Sequence, residues 1–355
     1  MEKQDNIHYN SRKIDGYNLP YNFIISEREA GKSTFIWLNK VYKLFKEKGK
    51  SSIVIRRKIV HITNSYIEDI SKIINKFTDD NIKFNYSKGS IKDGLVDIYI
   101  EDKLFIRIVG LSADITAVKS GVILNVGYII FDEFICNPQF GEKYLKDEST
   151  KFFEVFNTYN RESKDGIKCY FLGNPYSLFN PYFLFFNVPT SKLKPGAIIS
   201  DNTSYVVECY QICDELRKNI LARNPLYKFD NSYTRYAFYG ESVLDTNINT
   251  DKNIPNNFSL SIIVKISDKY IGIYKSNDYS LPSFYFYACF IDSNILNKRR
   301  DIYAFDFRDM VNGTSLLTSY DKLKFSMFKS AFAKRQVVFK SIEVYYLLEE
   351  IYNQI

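Results

Sequence analysis

Short apolar runs alternate with amphipathic stretches along the first half of the chain. Four runs are apolar at nearly every position, as in buried strands: residues 21–26, 51–57, 126–134 and 167–175. Three stretches place apolar residues at helical spacing: 32–48, 63–77 and 149–162. Strands that are apolar throughout are buried on both faces, and their alternation with helices is typical of parallel sheets. The pattern therefore predicts an α/β domain with a mostly parallel sheet, with a short strand meander between residues 83 and 110.

The pattern changes beyond about residue 208. Residues 209–240 are helical and basic, and residues 241–257 are polar and rich in Asn and Asp, as in a linker. Two strand-like runs then flank Asp268 and Lys269 as in a hairpin, and the chain finishes with a helical stretch. We predict three parts: an α/β domain at 1–208, a helical lid and linker at 209–255, and a smaller α+β domain at 256–355.

Composition is that of an ordinary globular protein of 355 residues, except for its aromatic content. Aromatic residues make up 17% of the chain, with 29 Tyr and 29 Phe but one Trp. Such residues fill strand cores more often than they stack on nucleic-acid bases. The net charge of +7 is compatible with a polyanionic partner, but the basic residues are spread along the whole sequence. A basic surface would have to be assembled by folding or by oligomerisation.

The five cysteines are too scattered for a disulfide framework or a zinc site. Only Cys209 and Cys213 lie near each other, and the two histidines, His8 and His61, are distant from them in sequence. We therefore expect reduced thiols, as in a cytosol. No apolar run approaches the ~18 residues that a transmembrane helix needs, and the polar first ten residues do not resemble a signal peptide.

The string YNFIISEREAGKSTFIW, at residues 21–37, has the order of a phosphate-binding loop. A buried strand leads into a turn whose backbone N–H groups can face phosphates, and a helix follows. Gly31 allows close backbone approach, Lys32 is placed for the β- and γ-phosphates, and Ser33 for Mg²⁺. Ser26 stands where the usual pattern has its first glycine, so a simple turn with a helix cap is an equal alternative. The other candidate residues for nucleotide contact here are Arg28, Glu29, Ala30 and Thr34.

Candidate catalytic groups follow two other buried strands. Asp132 and Glu133 end a strand in YIIFDEF, at the carboxyl edge where α/β ligand sites form. Asp132 would hold Mg²⁺ through water, and Glu133 would act as general base for an attacking water. Asn174, after the next strand, would orient that water or contact the γ-phosphate. A Gly-Asn-Pro turn selected for its backbone geometry explains Asn174 about as well.

Several basic residues are candidates for contact with phosphate groups. Arg161 closes a predicted helix, from which it would reach a neighbouring subunit and stabilise a phosphoryl-transfer transition state. Most arginines at such positions are simply solvated helix ends. Arg28 would contact phosphate or pair with a nearby glutamate. The string RRK at 56–58, with Arg57 and Lys58 foremost, ends the second strand and is a candidate for DNA contact, although it would serve the nucleotide equally well.

Three segments together resemble one protein family. They are SEREAGKST, GLSADITAVKSGVILNVGYIIFDEF and NTYNRESKDGIKCYFLGNPYSLFNPYF. Their spacing across residues 20–190 is similar to that of the DNA encapsidation proteins of small short-tailed bacteriophages (podoviruses), which are relatives of large terminases. That family is similar in two further features, which are an arginine within the phosphate loop and an Asn-Pro pair after the fourth motif strand.

The resemblance implies a viral genome-packaging motor. It implies a P-loop ATPase of the additional-strand, catalytic-glutamate (ASCE) class, which uses ATP and Mg²⁺ and forms a homopentameric ring on the portal of a procapsid. Such rings pump double-stranded DNA inward in the host cytoplasm, and some require a packaging RNA. Because Ser26 departs from the family pattern, we expect an altered loop geometry with a working site.

Roles of individual residues also follow from the resemblance, by matching position. Lys32 and Ser33 would bind nucleotide and metal, and Asp132 and Glu133 would form the Walker B pair. The residues that would act on the neighbouring subunit's nucleotide are Arg161 as a trans-acting finger and, as a weaker candidate, Lys119.

The resemblance further implies a nuclease-like second domain, because large terminases carry an RNase H fold with acids around two metals. The first strand of this part has Lys265 in its interior and no carboxylate. Asp268 fits a hairpin turn, and Asp306 and Asp309 form a lone acidic pair. We therefore expect residues 256–355 to be an inactive nuclease-like domain that contacts nucleic acid or the portal. Its candidate phosphate contacts are Lys298, Arg299, Arg300, Lys322, Lys324, Lys329, Lys334 and Arg335.

Two alternative functions stay open at the level of sequence. One is a nucleic-acid or portal-binding scaffold that does not hydrolyse ATP, and the other is a large terminase that still cuts DNA. The joint presence of Lys32, Ser33, Asp132 and Glu133 disfavours the scaffold. The motor interpretation depends on one geometric condition, which is that Lys32 lies beside the two acids.

Overall fold

The computed structural model divides into two compact units, Met1–Val243 and Leu244–Ile355. The helices predicted as a separate lid lie in the first unit, and the predicted boundary at residue 208 falls within a strand. The structure describes residues 7–87, 94–114, 118, 125–137, 141–161, 163, 165–242, 248–266, 268–278, 286–292, 296, 302–304, 307–317 and 322–352.

The first unit contains a nine-stranded sheet. In chain order its strands are β1 (Tyr21–Ser26), β2 (Ser51–Arg56), β3 (Asn85–Tyr86), β4 (Leu95–Ile100), β5 (Lys103–Gly110), β6 (Val126–Asp132), β7 (Lys168–Gly173), β8 (Ile198–Ser200) and β9 (Tyr205–Tyr210). Across the sheet they follow the order β3-β4-β5-β2-β6-β7-β1-β9-β8. The six adjacent strands β5, β2, β6, β7, β1 and β9 run parallel to one another. Strands β3 and β4 at one edge and β8 at the other pair in antiparallel fashion. The predicted mostly parallel sheet and the meander are confirmed.

Eight α-helices accompany this sheet in the described part of the first unit. They are α1 (Arg12–Asp15), α2 (Lys32–Ile36), α3 (Lys43–Lys48), α4 (Asn64–Phe77), α5 (Glu148–Asn160), α6 (Pro181–Phe185), α7 (Asp214–Arg223) and α8 (Ser232–Phe238). A π-helical segment, Trp37–Tyr42, joins α2 to α3, so the helix predicted at 32–48 is continuous. It ends at Gly49, whose left-handed φ of 62° favours glycine. No helix in the described residues of the chain is both long and apolar enough to cross a membrane.

Alternate residues of the central strands pack on opposite faces of the sheet, as the strand period requires. Ile24, Ile130 and Leu172 contribute to the core beneath α2, α3 and α4. The other face is aromatic: Phe23 stacks on Phe171 with ring centroids 4.3 Å apart, and further rings come from α5 and α6. Each fully buried side chain of this size contributes roughly 1.5–3 kcal/mol. The aromatic content of the sequence is therefore explained largely by packing.

The segment before α1 is fixed to the sheet by Tyr9. Its ring lies edge-on between Phe35 and Tyr210, and its hydroxyl donates to Glu208 Oε2 at 3.1 Å. Its backbone N–H donates to the carbonyl of Ala30 at 2.8 Å. Burial raises the pKa of Glu208 above its ordinary value, because the carboxylate loses its solvation. A polar pair in the core thus supports the turn that precedes α2.

Replacing Glu208 with glutamine is expected to stabilise the protein at neutral pH. A carboxyl whose folded-state pKa is raised favours folding only while it is protonated, and this contribution is lost as the pH rises through the folded-state pKa. Glutamine keeps an acceptor for Tyr9 and removes the buried charge. We expect a melting temperature higher by about 2–4 °C at pH 7 and a smaller difference at pH 4, measured by circular dichroism. Tyr9→Phe removes the hydroxyl that donates to the Glu208 carboxylate, so it should lower the melting temperature instead. Equal melting temperatures of E208Q and the wild type at pH 7 would contradict the prediction.

The second unit contains a six-stranded sheet of mixed direction. Its strands are β10 (Phe258–Ile266), β11 (Lys269–Ser276), β12 (Phe286–Phe290), β13 (Ile302–Ala304), β14 (Thr314–Leu316) and β15 (Val337–Phe339), in the order β14-β13-β10-β11-β12-β15. Its described helices include α9 (Lys322–Ala333) and α10 (Ile342–Tyr352). The predicted hairpin is confirmed, because β10 and β11 pair in antiparallel register around Asp268. Lys265 is buried within β10, and Asp306 lies outside the described residues.

Candidate nucleotide site

The loop between β1 and α2 explains how a serine replaces the usual first glycine. Ser26 ends β1 in extended backbone, and its buried hydroxyl donates to the next carbonyl at 3.0 Å. Left-handed backbone occurs instead at Glu29 (φ 61°) and Gly31 (φ 84°). A Cβ on Gly31 would lie 3.2 Å from the Cβ of His8, so both the limited space and the left-handed backbone favour glycine there. Position 26 carries no such requirement.

The acids of the loop connect it to helix α7. Glu27 is fully buried, and Arg217 Nη2 lies 3.5 Å from its Oε1. Burial raises the pKa of Glu27, and the positive charge of Arg217 opposes that shift. Glu29, predicted to contact the nucleotide, lies instead 3.4 Å from Arg223 Nη2. The acidic residues that set this loop apart from the usual glycine-rich form therefore contact α7.

Lys32 begins α2 and is hydrogen-bonded across the edge of the sheet. Its Nζ donates to Asn174 Oδ1 at 2.7 Å, just beyond the end of β7. The Tyr176 hydroxyl accepts from Asn174 Nδ2 at 3.4 Å and from Arg28 Nη2 at 3.0 Å. Burial lowers the pKa of Lys32 to about 8, and the negative charge of Asp132 opposes the shift. Three residues that the sequence placed at this edge are thus joined in one network.

The two acids at the end of β6 face Arg56, which ends β2. Its Nη2 lies 2.8 Å from Glu133 Oε2, and its Nη1 lies 3.6 Å from Asp132 Oδ2. The guanidinium stacks 4.5 Å from the ring centroid of Tyr66. Burial raises the pKa of Asp132, against the opposing charge of Arg56. The Asp132 side chain is 15% exposed and that of Glu133 is 62% exposed, so the first is enclosed and the second is open to solvent.

Strand order brings these two groups of residues to one edge. β7 lies between β1 and β6, with Ile25 paired to Gly173 and Asp132 paired to Leu172. The carboxyl ends of all three parallel strands therefore meet, which places Lys32 beside the acids. A cleft of about 180 Å³ opens there, lined by Arg28, Glu133, Ile135, Asn137, Glu142, Asn174 and Tyr176.

The position of Arg57 does not fit the predicted contact with DNA. Its side chain is 3% exposed, and its Nε lies 2.8 Å from Glu148 Oε2, whose own side chain is fully buried. A guanidinium enclosed in this way cannot reach an external phosphate without breaking a buried ion pair. The neighbouring Lys58 is partly exposed, so the prediction of a DNA contact stays with Lys58 alone.

Arg161 follows the last turn of α5, at the amino-terminal edge of the sheet, and the cleft lies at the opposite, carboxyl-terminal edge. The preceding residue, Asn160, accepts a hydrogen bond from the backbone of Ile167, immediately before β7 begins. Asn174 lies beyond the other end of that six-residue strand, which spans roughly 20 Å. Arg161 is exposed and, within the described part of the chain, cannot reach the cleft of its own subunit. Lys119, the second candidate for this role, lies outside the described residues.

The residues at this edge fit a magnesium nucleotide. Ser33 and Thr34 lie in the first turn of α2, where a hydroxyl and helix N–H groups suit a metal-bound phosphate. Asp132 ends β6 at the same edge and supplies a hard oxygen ligand of the kind that Mg²⁺ prefers. Ala30, a candidate for nucleotide contact, is buried, and its carbonyl accepts a hydrogen bond from the backbone N–H of Tyr9. Sequence reasoning named Arg56 only as part of a basic string, and it missed Glu148, Tyr176 and Arg217, whose roles depend on distant contacts.

A phosphate loop on β1, paired acids at the end of β6 and one strand between them define a P-loop protein with an additional central strand. The chain belongs to the family described as podovirus DNA encapsidation protein (Gp16), whose profile matches residues 1–355. The family resemblance stated from the sequence is confirmed.

Individual relatives agree with this family. The DNA packaging protein of Bacillus phage phi29 is 30% identical over 217 residues, which are 61% of this chain and 60% of that protein. The chain thus matches less than two thirds of the length of this relative. The DNA packaging protein of Bacillus phage B103 is 25% identical over 308 residues, covering 86% of this chain and 88% of that protein.

Solved structures share the fold over almost the whole chain. One, described as "The Phi-28 gp11 DNA packaging Motor", has a TM-score of 0.70 at 16% identity and covers 99% of this chain and 98% of its own. Another, "The bacteriophage Phi-29 viral genome packaging motor assembly", has a TM-score of 0.67 at 21% identity, with 98% and 99% covered. At these identities the likeness establishes the fold alone.

Proposed function

We propose that this protein is the ATP-hydrolysing motor that moves double-stranded viral DNA into a preformed procapsid. The observation that carries the proposal is the meeting of Lys32, Asn174 and the acids Asp132 and Glu133 at one sheet edge. Membership of a DNA encapsidation family supports the substrate and the setting in an infected cell. A portal-bound homopentameric ring, and a possible need for packaging RNA, are parts of this proposal that rest on the family alone.

Each residue has a physical role in the proposed hydrolysis. Lys32 and the N-terminus of α2 would hold the phosphates, and Ser33 and Asp132 would hold Mg²⁺, which when bound would neutralise charge on the phosphoryl oxygens. Asn174, bonded to Lys32, is positioned to orient the attacking water. Glu133 takes the proton of that water as general base. Arg56 Nη2 lies 2.8 Å from Glu133 Oε2, so this ion pair holds one oxygen of the carboxylate at the cleft.

The second unit is proposed to contact DNA, RNA or the portal without cutting DNA. Its strand β10 contains Lys265 and no carboxylate, whereas two-metal nucleases need clustered acids. No cluster of metal-ligating residues occurs in the described portions of the chain. Purified protein with Mn²⁺ is expected to leave a supercoiled plasmid intact; nicking that disappears on deletion of residues 256–355 would show that the unit is a nuclease.

The proposed function predicts an ATPase that responds to its cargo. We expect ATP turnover by the purified protein to rise when double-stranded DNA and procapsids of the same virus are added together. Lys32→Ala, which removes the phosphate-binding cation, is the matched control and should show no response. A wild-type protein that binds no ATP in a titration would overturn the motor and favour the non-hydrolysing scaffold. ATP turnover that ignores both DNA and procapsids would contradict the packaging role but not the ATPase.

A further inference from the structure

Arg57 contacts the chain that carries the proposed general base. Its Nη1 donates to the carbonyl of Glu133 at 3.1 Å and its Nη2 to the carbonyl of Phe134 at 2.6 Å. Its Nε donates to Glu148 Oε2 at 2.8 Å. One guanidinium thus bonds two successive carbonyls and a carboxylate through three different nitrogens, which the planar fork of arginine holds at fixed positions.

The partner of Arg57 is itself held from several directions. Glu148 Oε1 accepts from the Tyr182 hydroxyl at 3.0 Å, and its Oε2 accepts from the backbone of Leu145 at 2.9 Å. The rings of Phe131 and Tyr144 lie 5.6 Å and 5.0 Å from the guanidinium carbon. The Glu148 carboxylate is fixed by hydrogen bonds from α6 and from the residues just before α5. Because it is fixed, the Arg57 guanidinium cannot shift without breaking its buried hydrogen bond to Glu148.

The backbone that Arg57 holds is in an unfavourable conformation. Glu133 has a φ of 61°, in the left-handed region that glycine and asparagine adopt more readily than glutamate. The next residue, Phe134, is fully buried, and its N–H donates to the carbonyl of Leu172 at 3.1 Å. The left-handed turn lets the chain bury Phe134 while the Glu133 side chain faces the cleft. The direction of the carboxylate therefore depends on this one peptide.

We infer that Arg57 is a positioning residue for ATP hydrolysis, and that Glu148 anchors it. The two adjacent arginines act on different parts of the same residue, because Arg56 contacts the carboxylate of Glu133 and Arg57 fixes the backbone from which that carboxylate extends. The Arg57 side chain is 3% exposed and is not among the residues that line the cleft, so it acts through Glu133. The inference rests on the proposed ATPase activity and assigns a function to a residue that the sequence alone had suggested for DNA.

The test compares Arg57→Lys with wild type in steady-state ATPase and equilibrium ATP-binding measurements on the full-length protein. Lysine keeps the charge beside Glu148 but cannot bond both carbonyls, so the Glu133 peptide is released. We expect kcat to fall about 10- to 100-fold, as for a small misplacement of a catalytic group, with the Kd for ATP within about twofold of wild type. A purely structural loss would lower the active fraction and the binding capacity together.

Ile74→Val is the stability control, because Ile74 is a fully buried residue of α4 that makes no contact with this cluster. It should lower the melting temperature without changing kcat. If R57K shows no cooperative thermal transition, Glu148→Gln is the variant to measure, because it leaves the arginine in place and weakens its anchor. For E148Q we expect a kcat about 3- to 10-fold lower than that of the wild type, with the Kd for ATP unchanged. If R57K folds and keeps the wild-type kcat, this inference is overturned and the proposed function is not. If R57K does not fold, a wild-type kcat in E148Q has the same meaning. Absence of turnover in the wild-type protein would overturn the proposed function and the inference together.

Discussion

Replacing Glu133 with glutamine is expected to lower ATP turnover by about 10²- to 10⁴-fold, while ATP still binds. Glutamine has the size of glutamate but cannot accept a proton from water. The binding groups are elsewhere: Lys32 and Ser33 stand at the start of α2, and Asp132, which is largely enclosed, remains to hold the metal. The variant also loses the ion pair between Arg56 and Glu133, so it removes the negative charge that now holds this arginine at the cleft.

The measurement is single-turnover hydrolysis beside an equilibrium titration with ATP. Glu68→Gln is the matched control, because the Glu68 side chain is also 62% exposed and lies on α4, away from the cleft. Turnover in E68Q should equal that of the wild type. Lys32→Ala should lose binding and turnover together, which separates a binding defect from a chemical one. Full activity of purified E133Q would refute the assignment of the general base.

Replacing Arg161 with alanine is expected to lower turnover by about 10³- to 10⁵-fold in the assembled protein, the range for an arginine finger. Its place at the amino ends of the strands, a strand length from its own cleft, excludes action within one subunit. Its guanidinium must therefore serve a neighbouring subunit, if it serves catalysis at all. Arg161→Lys should restore little activity, because an ammonium lacks the planar fork that matches phosphate oxygens.

Mixing distinguishes this role from a structural one. A subunit with R161A keeps an intact Glu133, and a subunit with E133Q keeps an intact Arg161, so some interfaces of a mixed ring combine both functional residues. Turnover of mixtures should exceed that of either variant and pass through a maximum with the ratio. Lys48→Ala, which removes an exposed cation at the end of α3, should leave turnover unchanged. No recovery at any ratio would argue against action in trans.

Local patterns were enough to predict the elements that carry the site. The apolar strands and the amphipathic helix predicted at 63–77 follow directly from periodicity, and the structure places that helix at Asn64–Phe77 with Thr63 as its cap. Lys32, Asp132 and Glu133 were found because each directly follows a strand or begins a helix. Strand β9, which pairs with β1, was missed although most of its residues are apolar. A six-residue strand near the presumed edge of a domain gives little signal without knowledge of its partner.

The adjacent residues Arg56 and Arg57 show where sequence reasoning ended. In the sequence they are one basic pair after a strand, and both are equally suited to DNA or to nucleotide. In the structure they lie on different sides of the same turn: Arg56 faces the acids of the cleft, and Arg57 is enclosed with Glu148, 91 positions away. Alternation of side chains along a strand separates neighbours, and only the fold decides which buried carboxylate each one meets.

The sequence by itself determined the strands and helices that carry the site, the identity of the phosphate-loop lysine and of the tandem acids, and the family. Those features are local, because spacing within one segment encodes them. The tertiary structure alone decided that β7 separates β1 from β6, that Asn174 bonds Lys32, that Arg161 lies far from its own cleft and that Arg57 holds the backbone of Glu133. Such contacts join residues that are distant in the chain, and their energies depend on burial and on hydrogen-bond geometry, which exist only after folding.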